Sequence, residues 1–98
     1  MLSTKEYKDY IIECLRLLDN VKCKPMMGGY LLYYNNVLFG GIYSNRLLVK
    51  MVETNKKYNM DKVIPYDGSK KLMYLVSETD NIELVKDIVL DTYNGIIE

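Results

Sequence analysis

Val21-Lys22-Cys23-Lys24-Pro25-Met26-Met27-Gly28-Gly29-Tyr30-Leu31-Leu32-Tyr33-Tyr34-Asn35-Asn36 opens a run with a period of two, rich in β-favouring side chains. Successive side chains of a strand point to opposite faces, so this period marks strands covered on one side. The run continues to about residue 52 and divides into four strands, roughly 21–26, 30–34, 38–43 and 47–51. Asn35-Asn36 and Ser44-Asn45 fall between strands, and Asn tolerates the left-handed backbone of a two-residue hairpin turn. Strands joined so closely pair as an antiparallel meander. Gly40-Gly41, inside the third strand, points to a bulge or a close backbone approach.

On the N-terminal side, Ser3 and Glu6 have the spacing of a capping box. Tyr7, Tyr10, Ile11, Cys14, Leu15 and Leu18 then recur on one helical face, and Asp19-Asn20 reads as the end of that helix. On the C-terminal side, residues 53–60 are polar with weak helical character, and Thr54 is a candidate cap. Pro65-Tyr66-Asp67-Gly68 is a turn signal. Residues 72–76 read as a fifth strand. Asp80 with Glu83 reads as a second capping box, followed by the stripe Ile82, Val85, Ile88, Val89 and Tyr93, with Gly95 as C-cap. The expectation is an α+β, two-layer fold: an antiparallel sheet of about five strands with an N-terminal and a C-terminal helix. Ninety-eight residues make one domain, spanning residues 1–98.

Composition narrows the function classes. Thirteen basic and thirteen acidic residues cancel, which argues against direct nucleic-acid binding, since that affinity rests on phosphate neutralisation. Ten tyrosines against one phenylalanine and no tryptophan suit a thin fold in which rings are covered while hydroxyls stay wet. No apolar run reaches membrane-spanning length, and the polar start has no signal-peptide pattern, so a cytoplasmic location with no membrane partner is expected. Cys14 and Cys23 read as two buried free thiols.

Candidate chemistry is sparse. With no histidine in the chain, Ser-His-Asp and Cys-His mechanisms and His-containing zinc sites are excluded. No cofactor, metal site or catalytic residue is expected. Asp61, Asp67, Glu78 and Asp80 lie in loops, read as solvated charge or caps rather than a hydrolase pair. The glycines at 28, 29, 40 and 41 match no phosphate-binding spacing. Lys22 and Lys24 share one strand face, and Arg46 and Lys50 share another. If the two coincide, a cationic patch results; otherwise this is the wet side of a sheet. Lys56-Lys57 and Lys70-Lys71 read as solvated pairs. Met26, Met27, Met51, Met60 and Met73 read as core filling, with a soft contact surface as the alternative. Tyr30, Tyr33, Tyr34 and Tyr43 could stack bases as sheet aromatics do in RNA-binding modules, but the chain lacks overall basicity and an RNP-like motif.

Lys24-Pro25-Met26-Met27-Gly28-Gly29-Tyr30, the hairpin after it, Leu38-Phe39-Gly40-Gly41-Ile42-Tyr43 and Asn45-Arg46-Leu47-Leu48-Val49-Lys50 resemble the N-terminal domain of the TfoX/Sxy family. Pro65-Tyr66-Asp67-Gly68-Ser69-Lys70-Lys71-Leu72-Met73 is similar to a stretch of its short, stand-alone members. The resemblance implies a two-layer domain with an antiparallel sheet. Its better-known members regulate DNA uptake and natural transformation in bacteria, as co-activators working through a DNA-bound transcription factor. They carry a second, helical domain that the sequence to Glu98 does not include. What carries over is a non-enzymatic regulatory or protein-interaction domain, with Lys24, Met26, Met27, Gly28, Arg46 and Lys50 as candidate surface and a protein as partner. A small-molecule or nucleotide-binding domain is the alternative. A sheet edge could also pair two chains as a homodimer.

Overall fold

A computed structural model describes residues 2–98. Helix α1 (Lys5–Cys14) leads into a meander of β1 (Val21–Met26), β2 (Gly29–Tyr34), β3 (Val37–Ile42) and β4 (Leu47–Val49). A 3-10 helix (Glu53–Tyr58) follows, then β5 (Asp61–Val63), β6 (Met73–Val76) and helix α2 (Ile82–Ile97). The strands form one antiparallel sheet in the order β1-β2-β3-β4-β6-β5. The α+β, two-layer expectation holds, with β5 as an added strand. Its three residues are too short and too polar to announce themselves.

The hairpins form where the turn chemistry puts them. Asn35 and Asn36 have φ of 49° and 64°, and Ser44 and Asn45 have 52° and 55°. Both features inferred for Gly40-Gly41, a bulge and a close backbone approach, occur here. The β2–β3 register shifts between Leu32 and Tyr33, and a Cβ on Gly40 would collide with the Leu48 carbonyl of β4.

Cross-strand partners share a face, and the register therefore sorts the sheet. Leu32, Phe39, Ile42, Leu47, Val49, Tyr74 and Val76 face a single core closed by Ile11 of α1, by Leu15 just after it, and by Val85, Ile88 and Val89 of α2. One buried polar group sits at its edge. Asn55 Nδ2 donates to the Lys50 carbonyl and to Thr92 Oγ1 (2.8 Å each), and its Oδ1 accepts from Val52 N–H at 3.2 Å. Thr92 in turn donates to the Ile88 carbonyl. Every group in this set is satisfied, and so it ties the 3-10 helix to α2 without a desolvation penalty.

Helix ends depart from the sequence reading by small steps, for identifiable reasons. Thr4, not Ser3, caps α1, accepting from Tyr7 N–H at 3.1 Å. Ser3 is engaged by the β3–β4 turn instead, where its hydroxyl accepts from Asn45 N–H. The α-helix ends at Cys14, and the apolar stripe runs on through a turn in which Leu15 and Leu18 still pack inward. Asn81, not Asp80, caps α2, accepting from Leu84 N–H. Gly95 is no C-cap: it lies inside α2, where a Cβ would sit 2.7 Å from Val52 Cγ2.

Candidate interaction surface

Leu48 decides how the second face of the sheet must be read. It is 0% exposed, yet it lies outside the core cluster under the helices. Its register partners Gly41 and Leu75 place it on the opposite face, with Leu31, Tyr33, Lys22 and Lys24 farther along. The connection between β5 and β6, residues 64–72, crosses this side, and its Pro65 is buried.

Arg46 holds that connection down. Its Nε donates to the Tyr43 carbonyl at 3.1 Å, and Nη2 donates to the carbonyls of Pro65 (3.0 Å) and Ile64 (3.4 Å). A guanidinium's rigid fork suits such bridging, and its charge strengthens each bond. The Tyr66 ring consequently lies beside Tyr43, centroids 6.3 Å apart. Burial first, and Tyr66 second, push the Tyr43 hydroxyl above its ordinary pKa.

Two grooves flank this connection. The first, about 570 Å³, runs between the β1–β2 turn and residues 64–67, over Tyr43 and Arg46. The second, about 700 Å³, lies between β3–β4 and residues 65–73. They share Tyr43, Pro65 and Tyr66 as a common wall.

Of the six candidate surface residues, Met26, Met27, Gly28 and Arg46 line the first groove and Lys50 lines the second. Gly28 turns the hairpin at φ 77°, where a side chain would be strained, and its carbonyl accepts from Ser3 N–H at 2.8 Å. Lys24 lines neither groove; its ammonium lies 5.6 Å from the Tyr33 ring. The Lys22/Lys24 and Arg46/Lys50 faces do coincide, but β2 and β3 lie between β1 and β4, a separation of roughly 14 Å at ordinary strand spacing. The pairs therefore form no compact patch.

Of the five methionines read as core filling, Met60 packs against the core, while Met26 and Met73 are half-buried in the groove walls. Core filling fails for the other two. Met27 is 97% exposed at the tip of the β1–β2 turn, and Met51 is also exposed. The two-residue turn leaves Met27 no layer to pack under. The four tyrosines share no stacking face either: Tyr30 and Tyr34 pack against the core, whereas Tyr33 pairs with Lys22 on the other side. Cys14 is buried and Cys23 half-buried, both as free thiols. Asp61 and Glu78 border a third, polar groove of about 300 Å³ with both side chains exposed, while Asp67 borders the first groove. Among the described residues, no three Cys, Asp or Glu side chains converge on a metal-sized site, and no helix is long and apolar enough to cross a membrane.

Ile64, Tyr66 and Leu72 are exposed apolar residues of the grooves, although the sequence reads Tyr66 only as part of a turn and Leu72 as the start of a strand that begins at Met73, and gives Ile64 no role. A signal for them exists. Leu47-Leu48-Val49 is apolar at three successive positions, as a strand is only when both its faces are covered.

The profile of the TfoX N-terminal domain family matches residues 13–83. The chain belongs to that family. The match takes in the whole sheet, both grooves and the 64–72 connection, so the TfoX domain here carries the candidate surface within its matched span. No match was found among curated proteins.

Charge is distributed unevenly over this TfoX domain. Residues 21–52 carry four basic side chains and no acid, whereas residues 77–98 carry six acids and one lysine. The ion pairs Lys5–Asp9, Lys8–Asp9, Arg16–Glu13, Lys56–Glu53, Lys57–Asp91 and Lys86–Glu83 involve residues of α1, α2, the 3-10 helix and the turn after α1.

Proposed function

We propose that this TfoX domain is a non-enzymatic regulatory module that docks a protein partner in the groove between the β1–β2 turn and residues 64–67. The observation that carries the reading is Met27, 97% exposed, on the same groove as Ile64 and the 58% exposed Tyr66. Clustered exposed apolar side chains on a small domain mark contact surfaces. Methionine adapts to the shape it meets, and tyrosine supplies a rigid anchor with a polar tip. Membership of a family that contains competence regulators supports the regulatory part of the reading. A small-molecule site would converge several free polar groups on its ligand. Here Arg46 Nε and Nη2 are already bonded to backbone carbonyls.

The test is affinity capture from native lysate on the immobilised wild type and on a Met27→Glu/Ile64→Ser variant. Both positions border only the first groove, and both are exposed, so folding should be preserved. Burying a charge in an apolar contact should cost about 2 kcal/mol or more, roughly thirtyfold in affinity. Proteins captured by the wild type should be lost from the variant. An identical set on both would overturn the reading.

A further inference from the structure

The second groove differs from the first in charge. Lys50, Lys70 and Lys71 border it, and no aspartate or glutamate does. Among the described residues, none of these three ammonium groups has an ion pair or a hydrogen bond, although six other ion pairs form elsewhere. The walls between the lysines are apolar: Leu38, Met51, Leu72 and Met73, with Met51 and Leu72 open to solvent. The loop bearing Lys70 and Lys71 is shaped from within, since Ser69 Oγ donates to the Lys71 carbonyl and accepts from its N–H. The lysine pair is thus presented at a set place on the rim.

We infer that this second groove receives an acidic, apolar-flanked peptide segment of a protein partner. The inference rests on the reading of this face as a protein-docking surface and names the chemistry of what docks there. Unpaired cations on the rim call for carboxylates, which they also steer during encounter. The apolar walls call for aliphatic or aromatic side chains between those carboxylates. A nucleic acid would satisfy the lysines alone. Stacking of successive bases would need a row of exposed aromatic faces, but the groove offers two rings, the half-buried Tyr43 and Tyr66 tilted beside it at 6.3 Å.

Fluorescence anisotropy tests the inference with the full chain. The probe is a short labelled peptide alternating glutamate with leucine and phenylalanine. The comparison probes are its glutamine counterpart and a single-stranded oligothymidylate of equal charge. The acidic peptide should bind saturably and release as salt rises through the range where surface charges are screened. The glutamine peptide, and a Lys70→Glu/Lys71→Glu variant with the acidic peptide, should each bind at least about tenfold more weakly. Both lysines are exposed, so the variant keeps the fold. Absence of saturable binding, equal binding of the glutamine peptide, or tighter binding of the oligonucleotide would each overturn the inference. Partner capture that depends on Met27 while the acidic peptide fails to bind would end this inference and leave the docking reading standing.

Discussion

On one face of the sheet, Phe39, Ile42, Leu47 and Val49 lie beneath two helices whose own apolar stripes supply the opposite wall. On the other face, Leu48 lies beneath a connection without regular structure, held by the bonds of Arg46 to two of its carbonyls. The first covering is area-driven and continuous. The second is thin, pinned at one end and bordered by exposed Met27, Tyr66 and Leu72. A sheet closed by helices on one side leaves its other side free for function, at the cost of needing some cover for a central strand. The 64–72 connection provides that cover and, in doing so, makes the walls of both grooves.

The contrast is most easily broken with truncations. Phe39→Ala should cost about 3–5 kcal/mol by loss of burial plus a cavity, read as a fall in the urea midpoint. Leu72→Ala, at a 47% exposed position, should stay within about 0.5 kcal/mol. Comparable losses would mean that the connection packs like a helix layer.

A smaller effect should follow from Arg46→Met. Three carbonyls lose their charged donor, and water replaces it where the site is open, so global stability should fall by about 1 kcal/mol. Amide exchange in residues 64–72 should quicken far more than exchange in α2. Uniform acceleration would contradict a locally pinned connection.

The smallest expected effect belongs to pH on the helix side. The Tyr58 hydroxyl donates to the Asp91 carboxylate at 2.5 Å. Burial works against that carboxylate, but bonds from Tyr58 and Lys57 outweigh it and hold Asp91 below the ordinary carboxylate range. Burial, then the same bond, pushes Tyr58 above its ordinary value. A lowered carboxyl contributes stability that is present above its unfolded pKa, near 4, and lost as pH falls through the folded value. A raised phenol contributes stability below pH about 10 that declines as pH rises beyond it. Tyr58→Phe should flatten both limbs of a pH–stability curve; unchanged limbs would remove this bond from the account.

The meander was legible because its signals are local. Asn35-Asn36, Ser44-Asn45 and the alternation of 21–26 depend on backbone conformations that a few residues dictate. Cap positions slipped by one because Ser3 and Thr4, like Asp80 and Asn81, are equally competent, and the choice depends on a distant partner such as Asn45. The site was half legible. Period two puts Lys22 with Lys24 and Arg46 with Lys50, but the strand register is needed to show that the two faces coincide, and nothing local says what crosses them. That Arg46 bonds carbonyls and that Met27 stays bare are consequences of where residues 64–67 come to rest, a contact made across about twenty residues of chain and set by tertiary packing rather than local preference.

The charge separation between residues 21–52 and 77–98 has a practical result at the bench. A molecule with no net charge and an isoelectric point near 6.3 would ordinarily pass through ion-exchange resins at neutral pH. With acids gathered on the C-terminal segment and bases on the sheet, this protein presents each resin with a face of opposite sign. It should be retarded at low salt by cation and anion exchangers alike, bound in opposite orientations, so that the choice of resin decides which face remains open to the solution.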